Sequence, residues 1–332
     1  MSKSIRVIQY GLGPIGSAIA RYVTERADLT LVGAVDVDAA KVGRDAGEVI
    51  GLGRRLGFPV ARTLAEALGR ADADVALHAT SSYFDRFLPQ ILELLDAGLD
   101  VVSTAEELSF PWLAHPEEAR EIDAAARRAG KTVLGTGINP GFLMDSLPLF
   151  LTGICQRVDR IEVRRAQNAS LRRGPFQAKI GAGLTVEEFR ERMAAGRMGH
   201  VGLPESVGMV FHTLGRTLVR YESDVEPVVA DRRVVTEFFD VPPGRVIGLQ
   251  QTARGFDSEG EFLVLTFLAA LDAEENRDTI RIRGAPNLEV TLQGTNGDVA
   301  TVAIAVNAIK RVREAEPGLR TMADLPMITC GS

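Results

Sequence analysis

The 332-residue chain is long enough to form two domains, each with its own hydrophobic core. Its apolar content of 45% and charged content of 25% are typical of a globular protein, and its net charge of −6 argues against a nucleic-acid-binding surface. Two cysteines, Cys155 and Cys330, lie too far apart for metal-ligand spacing, so we expect neither a disulfide framework nor a metal site. The longest apolar stretch, residues 262–271, is too short to span a bilayer, and no secretory apolar region precedes the first strand. We therefore expect a cytoplasmic protein that binds neither membrane nor nucleic acid.

A glycine-rich loop follows the first predicted strand, residues 5–8, and precedes an apolar pattern with helical spacing. The loop matches G-x-G-x-x-G, which occurs in dinucleotide-binding folds. Gly11 permits a tight turn, Gly13 permits the approach of a pyrophosphate, and Gly16 permits close packing of helix on strand. Pro14 suits the first helical turn. The predicted cofactor-binding residues of this loop are Gly11, Leu12, Gly13, Pro14, Ile15 and Gly16.

An acidic residue, Asp36, ends the second predicted strand, residues 29–35. An acid at this distance from the glycine motif binds the adenosine ribose hydroxyls, so the motif, which is weak alone, here predicts NAD or NADP binding. Asp36 repels a 2′-phosphate and therefore favours NAD. Arg54 and Arg55 lie downstream and are able to offset that repulsion, so both cofactors stay open, with NAD favoured.

Strands and helices alternate up to about residue 145, which predicts a doubly wound parallel sheet. Val60 is placed in a short strand, and Thr63 is expected to cap a helix together with Glu66. Further strands are predicted at residues 74–79, 100–104 and 131–134. The carboxyl ends of strands in such sheets face the ligand crevice. The residues expected to line the cofactor there are Thr80, Ser81, Ser82, Thr104 and Asn139.

The pattern changes after about residue 145. The strand-like segments are residues 160–165, 227–229, 233–239, 246–253, 261–271, 279–283 and 288–292, and helices are predicted at 185–195 and 204–219. This succession predicts a second, α+β domain built on a largely antiparallel sheet. A last amphipathic helix, residues 298–315, is expected to return to the first domain.

We accordingly divide the α/β chain into three parts. Residues 1–145 form an N-terminal Rossmann domain, residues 146–297 a substrate-binding and dimerisation domain, and residues 298–332 a C-terminal helix and tail that pack back on the Rossmann domain. Helices are expected to cover one face of the second sheet and leave the other in need of cover. We therefore predict a homodimer that pairs these sheets.

Two adjacent carboxylates, Glu106 and Glu107, follow the strand at residues 100–104. Neighbours on an extended chain point in opposite directions, so one of the two is expected to enter the pocket. A carboxylate there suits the work of a general base. A solvated pair of loop residues is the alternative interpretation, and it is about as well supported by the pattern alone.

Histidines and basic residues provide weaker candidates. His78 is interpreted as a strand histidine rather than a catalyst, whereas His200 lies in a loop and is a candidate for substrate contact. Phe142, which follows Asn139 at a strand end, is expected to line the pocket. Arg172, Arg173 and Lys179 are able to bind a carboxylate or phosphate, or to form a solvated basic loop.

Together these residues resemble the 2,4-diaminopentanoate dehydrogenase family, including its native amine dehydrogenases, over nearly the whole chain. The matching stretches are residues 10–16, 102–111 (VSTAEELSFP), 135–142 (GTGINPGF), 176–181 and 199–206. Dihydrodipicolinate reductase is similar more distantly. The resemblance implies NAD(P)-dependent oxidative deamination of an amine or diamino acid, and the reverse reductive amination of a ketone or aldehyde with ammonia.

The resemblance also implies roles for individual residues. Alignment on the Glu-Glu motif favours Glu106 as the catalytic residue, with Glu107, Phe142, Phe176 and His200 in the substrate pocket. Ala105 replaces the cysteine that many family members carry before the pair, a change expected to affect packing more than chemistry.

Three hypotheses follow from the sequence. The leading one is an amine dehydrogenase; the second is another NAD(P)-dependent oxidoreductase, such as one like dihydrodipicolinate reductase. The third is a non-catalytic NAD(P)-sensing protein, which would bury a carboxylate without a catalytic use for it. An activity screen of amines and amino acids with both cofactors separates them.

Overall fold

The computed structural model of the chain describes residues 4–172, 174–196, 198–273 and 276–331. Its strands, in chain order, are β1 (Ile5–Tyr10), β2 (Leu29–Val35), β3 (Val75–His78), β4 (Asp100–Ser103), β5 (Thr132–Gly135), β6 (Arg157–Asn168), β7 (Arg220–Val229), β8 (Val234–Val235), β9 (Asp240–Val241), β10 (Val246–Asp257), β11 (Gly260–Ala270), β12 (Arg277–Ala285), β13 (Leu288–Gln293) and β14 (Gly318–Arg320). Its α-helices are α1 (Pro14–Glu25), α2 (Ala46–Val49), α3 (Leu64–Leu68), α4 (Phe84–Asp96), α5 (Pro116–Ala129), α6 (Ser146–Thr152), α7 (Gly174–Lys179), α8 (Val186–Ala194), α9 (Leu203–Thr213) and α10 (Gly297–Glu314).

The chain forms two compact units, Met1–Phe142 with Gly297–Ser332, and Leu143–Asn296. The first unit contains a parallel sheet with the strand order β14-β5-β4-β3-β1-β2. An additional parallel bridge joins Ala61 to Val35 of β2, beside the short strand predicted at Val60. Counting this bridge as a third strand gives the order 3-2-1-4-5-6 of dinucleotide-binding domains, which reverses at β1, with β14 as a seventh strand beside β5.

The sequence explains why this sheet forms. Strands β3, β4 and β5 are buried along their whole length, as expected for parallel strands covered on both faces. Helices α4 and α5 add Phe87, Ile91 and Ile122 to the core. Thr63 caps α3 by accepting a hydrogen bond from the Glu66 N–H, which confirms that predicted cap. Helix α10 packs against α1 and β4 within the same unit.

The second unit is built on a sheet with the order β13-β12-β6-β11-β10-β7. Its neighbouring strands run antiparallel except for β6 and β11, which are parallel. The predicted fold class, a Rossmann domain followed by an α+β domain with a largely antiparallel sheet, is therefore confirmed. Helix α9 packs on β10, where Val207 and Phe211 lie close to Gly255, a position at which a Cβ would collide with both side chains.

The predicted bounds of three elements of this unit are wrong. The helix predicted to reach residue 219 ends at Thr213, because Gly215 has a φ of +65°, and β7 begins at Arg220 rather than at residue 227. The first residues of β7 are mostly exposed and charged, so the sequence shows no apolar alternation that would predict a strand there. The strand predicted at residues 233–239 is instead the hairpin of β8 and β9.

Within the described ranges, no helix combines the length and apolarity needed to cross a bilayer. The same residues contain no group of three or more His, Cys, Asp or Glu side chains arranged to hold a metal ion.

Candidate active site

The glycine loop lies where the order of the parallel sheet reverses, between β1 and β3. Gly11 has a φ of +91°, and a Cβ there would lie 2.5 Å from the Ala79 carbonyl oxygen. A Cβ on Gly16 would overlap the Gly11 carbonyl oxygen, so the start of α1 packs directly on the end of β1. The three-dimensional structure therefore requires glycine at both positions.

The same loop fits the pyrophosphate of a dinucleotide. Gly13 forms the N-cap of α1 without a side-chain cap from the described residues, and Pro14 occupies the first turn. A Cβ built on Gly13 would meet nothing within 4 Å, so the backbone there faces open space. Helix N-termini with such accessible N–H groups bind phosphates. The loop residues and their surroundings thus fit the predicted cofactor.

Asp36 stands at the end of β2 and contacts the glycine loop. Its Oδ2 accepts a hydrogen bond from the Leu12 N–H at 2.8 Å, and its Oδ1 accepts one from the Asp38 N–H at 2.8 Å. Lys41 Nζ lies 3.1 Å from Oδ2. Partial burial acts to raise the pKa of Asp36, but these hydrogen bonds and the Lys41 charge outweigh it and lower that pKa, so the carboxylate is ionised at neutral pH.

Lys41 was not among the sequence-predicted residues. Arg54 and Arg55, which the sequence offered as the basic residues of this region, are exposed, and the Arg55 guanidinium lies 3.6 Å from Asp45. Lys41 is instead the cation at Asp36, because residues 38–41 form a turn after β2 in which the Lys41 N–H donates to the Asp38 carbonyl. The position of Lys41, five residues after Asp36, was the sequence signal that could have predicted this ion pair.

The segment after β3 places Thr80, Ser81 and Ser82 beside the loop. A Cβ on Gly11 would come within 2.8 Å of Thr80 Cγ2, so these two strand ends are in direct proximity. The Ser81 hydroxyl accepts a hydrogen bond from the Tyr83 N–H, and the Ser82 carbonyl accepts one from the Glu107 N–H. The predicted cofactor-side residues after β1, β2 and β3 therefore meet at one edge of the sheet.

Glu106 and Glu107 begin a 3₁₀ turn, Glu106–Leu108, directly after β4 and Thr104. The expectation of an extended chain at this pair is wrong, because the Ser109 N–H and hydroxyl both donate to the Glu106 carbonyl and close the turn. The Glu106 side chain is half-buried, and its carboxylate has no hydrogen-bond or ion-pair partner among the described residues.

Glu107 has a different environment. Its Oε2 accepts a hydrogen bond from the Phe84 N–H at 2.7 Å, at the start of α4, where Tyr83 provides no side-chain cap. His115 Nε2 lies 3.6 Å from the same oxygen, and the His115 ring stacks on Phe84. Glu107 thus stabilises the amino end of α4 and joins the 3₁₀ turn to the segment that follows β3.

The loop after β5 completes this edge of the first unit. It contains a cis peptide bond between Asn139 and Pro140, and the Asn139 side chain is buried. The Ile138 N–H donates to the Thr301 hydroxyl of α10 at 3.4 Å, which anchors the loop. Phe142 is half-buried and is the last residue of the unit before the chain continues into the second one.

The second unit contains the remaining candidates. Phe176 lies on α7, with the Arg172 guanidinium 4.4 Å from its ring centroid. His200 lies in a loop as predicted, and its ring stacks on Phe267 with 4.7 Å between centroids. The His200 backbone N–H donates a hydrogen bond to Gln251 Oε1 at 2.7 Å.

The basic residues near α7 have separate environments. Lys179 is exposed at the end of α7, whereas Arg172 is half-buried. Arg173 lies outside the described residues.

A buried ion pair was missed from the sequence. Arg165 of β6 and Asp278 of β12 are each 2% exposed, and Arg165 Nε lies 3.7 Å from Asp278 Oδ1. Burial lowers the pKa of Arg165 and raises that of Asp278. Alternation with the buried Ile161 and Val163 of β6 was an available signal for this position, but the sequence did not predict its burial because arginine is usually exposed.

A glycine loop at the reversal point of a parallel sheet, with an acid at the end of β2, defines a Rossmann-type dinucleotide-binding domain. A family profile described as the 2,4-diaminopentanoate dehydrogenase C-terminal domain matches residues 142–331, and one described as the N-terminus of dihydrodipicolinate reductase matches residues 5–94. The chain belongs to the 2,4-diaminopentanoate dehydrogenase family, and it is an NAD(P)-dependent dehydrogenase of amines.

Individual relatives agree over nearly their full length. The chain is 31% identical to the 2,4-diaminopentanoate dehydrogenase of Acetoanaerobium sticklandii, covering 98% of this chain and 94% of that protein. It is 25% identical to an amine dehydrogenase of Streptomyces virginiae, with 97% and 96% covered. The solved structure of an amine dehydrogenase from Mycobacterium smegmatis superimposes with a TM-score of 0.87 at 27% identity, covering 99% of this chain and 98% of that one.

Proposed function

We propose that Glu106 is the general base of an amine dehydrogenase that prefers NAD. The observation that carries this proposal is the environment of its carboxylate. It is half-buried, has no partner among the described residues, and stands on a fixed turn at the carboxyl end of β4. Its neighbour Glu107 is instead engaged by the Phe84 N–H. A carboxylate that the protein does not use for its own contacts is available to take a proton from a substrate.

The chemistry requires two proton transfers, and Glu106 is able to perform both. An amine substrate reaches the enzyme mainly as an ammonium ion, and the carboxylate first removes one proton to leave a neutral amine. A nicotinamide cofactor held by the glycine loop and Asp36 would supply the acceptor for the hydride that leaves the carbon bearing this amine. The substrate is then an iminium ion. Once Glu106 has released the first proton to solvent, it takes a proton from the water that attacks the iminium carbon and delivers this proton to the nitrogen that leaves as ammonia. Collapse of the adduct gives a ketone or aldehyde and ammonia, and the reverse sequence is reductive amination.

Asp36 supports the preference for NAD. Its ionised carboxylate is fixed by the Leu12 and Asp38 N–H groups at the place where the adenosine ribose is expected. A 2′-phosphate would bring negative charge close to it. The Lys41 ammonium partly compensates, so we expect NADP to be used more weakly rather than rejected.

Substrate recognition is proposed for Phe142, Phe176 and His200. Phe176 lies against the Arg172 guanidinium, and the His200 ring stacks on Phe267. The names of the relatives include a diamino acid dehydrogenase and amine dehydrogenases, which differ in whether the substrate carries a carboxylate. Arg172, which is half-buried, is a better candidate to bind such a carboxylate than the exposed Lys179.

A screen of amines, diamino acids and amino acids at alkaline pH, with NAD and with NADP, tests the proposed function. Reduction of the cofactor that depends on an amine and releases one ammonia per reduced cofactor is the expected result. Reduction of a cyclic imine substrate without ammonia release would favour a reductase of the dihydrodipicolinate type. Cofactor binding without turnover of any compound would favour a sensing role.

A further inference from the structure

Strand β3 ends in a histidine that the proposed chemistry does not use. His78 is completely buried, which agrees with its interpretation as a strand histidine, and burial lowers its pKa to about 4. Both ring nitrogens nevertheless have polar partners. Nδ1 lies 2.8 Å from the Ser103 hydroxyl, and Nε2 lies 2.7 Å from Gln90 Oε1 and 2.9 Å from the Thr80 hydroxyl.

The partners determine where the proton is. Gln90 Oε1 only accepts, and it already accepts a hydrogen bond from the Thr80 hydroxyl at 2.6 Å. His78 Nε2 must therefore carry the proton and donate to Gln90 Oε1 and the Thr80 oxygen. Nδ1 then has a free lone pair and accepts from the Ser103 hydroxyl. The Ser103 oxygen in turn accepts from the Ala105 N–H at 3.1 Å.

The hydrogen bonds of His78 connect the segment that follows β3 with the segment that follows β4. One arm runs from Nε2 to Thr80, which lies against Gly11 of the cofactor loop. The other arm runs from Nδ1 through Ser103 to the backbone of Ala105, the residue before Glu106. Ala105 is the N-cap of the 3₁₀ turn that carries Glu106. The imidazole thus contacts the supports of the cofactor and of the base, while touching neither reactant.

We propose that His78 is a positioning residue with two separable arms: Nε2 orients Thr80 toward the cofactor, and Nδ1, through Ser103, orients the turn that carries Glu106. This inference rests on the proposed function, since it takes Glu106 as the base. Small displacements of a catalytic group cost large factors in rate, whereas loss of one hydrogen bond near the cofactor costs a smaller factor in affinity.

Two substitutions separate the arms. The amide of asparagine reaches the position of Nδ1, so His78→Asn keeps the acceptor for Ser103 and removes the arm to Thr80. The amide of glutamine reaches the position of Nε2, so His78→Gln keeps the donor to Gln90 and Thr80 and removes the arm to Ser103. Ser103→Ala breaks that second arm without changing the imidazole.

The measurements are the Kd of NAD by calorimetry and the kcat with saturating amine and cofactor. We expect His78→Asn to weaken NAD binding roughly fivefold and to lower kcat less than His78→Gln does. We expect His78→Gln and Ser103→Ala each to lower kcat roughly tenfold or more, with the Kd of NAD within twofold. The double variant His78→Gln with Ser103→Ala should lose no more than either single variant, because both remove one arm.

A control and a second readout keep the result decisive. Thr132→Val removes a buried hydroxyl at the opposite end of this sheet and should lower the Tm without changing Kd or kcat. Hydrogen exchange of the Ala105 amide should accelerate in His78→Gln and Ser103→Ala but not in His78→Asn, whatever the reaction proves to be. An enzyme without amine-dependent activity would refute the proposed function and leave the exchange and Kd readouts to decide this inference. Equal effects of both His78 variants on Kd, kcat and exchange, or effects on Tm alone, would overturn it.

Discussion

Two adjacent carboxylates acquire different properties because a 3₁₀ turn, rather than an extended strand, carries them. Glu107 accepts a hydrogen bond from the Phe84 N–H at the start of α4 and lies near His115, whereas Glu106 has no comparable contact among the described residues. The identity of a residue in the motif therefore does not by itself say which carboxylate performs chemistry. The contacts of Glu107 with Phe84 and His115 support the proposal that Glu106 is the base.

Glu107→Gln should keep kcat within about threefold of wild type, because the amide oxygen is able to accept from the Phe84 N–H. Glu107→Ala removes that acceptor and should lower the free energy of unfolding by about 0.5–2 kcal/mol, the usual range for a lost helix cap. Urea unfolding and steady-state kinetics of both variants provide the test. A loss of kcat of about 100-fold in Glu107→Gln would assign the base to Glu107 instead.

Cofactor selection is also decided at the scale of single residues. We expect wild type to have a higher kcat/KM with NAD than with NADP, and Asp36→Ser to narrow that ratio by removing the negative charge beside the ribose. Lys41→Met should lower kcat/KM with NADP more than kcat/KM with NAD, because the ammonium compensates the charge of Asp36. Kinetics with both cofactors check these ratios. A wild-type preference for NADP of tenfold, about 1.4 kcal/mol, would show that Asp36 does not select NAD.

At the scale of elements, hydrophobic periodicity and glycine spacing predicted the first unit well. Strand β1, the loop at Gly11 and the cap at Thr63 depend on local patterns, and local patterns are visible in a sequence. The features of this unit that sequence reasoning missed are turns, whose side-chain contacts hydrophobic periodicity does not reveal. Lys41 reaches Asp36 through a turn, and the 3₁₀ turn at Glu106 is closed by Ser109.

The second unit was harder to predict for a physical reason. Strand β7 exposes Arg220, Glu222 and Asp224, so its apolar signal is weak although it pairs with β10 along its length. The buried pair of Arg165 and Asp278 runs against the usual preference of charged residues for water. Only pairing across β6 and β12 brings the opposite charges together.

Burial of His78 at the end of β3 predicts a pH dependence of stability. Its pKa falls from 6.5 to about 4 on folding, so the unfolded chain binds the proton more tightly between these values. The stability that depends on burying the neutral imidazole is fully present above pH 6.5. As the pH falls toward 4, the free energy of unfolding decreases by up to roughly 3 kcal/mol. Tyr10, the titratable ring beside it, has its pKa raised to about 12 and does not titrate in this window.

Urea unfolding of wild type and His78→Asn between pH 7.5 and about 4 checks this expectation. Carboxylates contribute to both proteins alike, so the difference between the two curves isolates the imidazole. We expect wild type to lose more stability than the variant as the pH falls below 6.5. Parallel curves would show that His78 is protonated as easily in the folded protein as in the unfolded chain.

At the scale of the whole molecule, the second unit has a sheet face suited to self-association. Small and apolar residues share this face with Glu162 and Arg164 of the central strand β6, and ion pairs such as Arg281–Glu289 and Arg254–Asp224 lie around them. The small and apolar residues are Ala166, Val264, Thr266, Leu268 and Thr279. A face that combines such residues with charges of both signs is able to match a second copy of itself under twofold symmetry.

We therefore expect a homodimer, and sedimentation velocity at micromolar concentration measures it directly. Thr266→Arg places a charge at the centre of the face and should give a folded monomer. Val299→Arg, on the exposed side of α10, is the matched control and should remain dimeric. A monomeric wild-type protein at this concentration would refute the expectation.

The central claim is that Glu106 is the base of an amine dehydrogenase, and the kcat of Glu106→Gln tests it most directly. Glutamine keeps the size of the side chain but does not accept a proton from an ammonium ion or from water. We expect kcat to fall by about 10²–10⁴-fold with the Kd of NAD near its wild-type value. A variant that retains more than roughly a third of the wild-type kcat would contradict the claim.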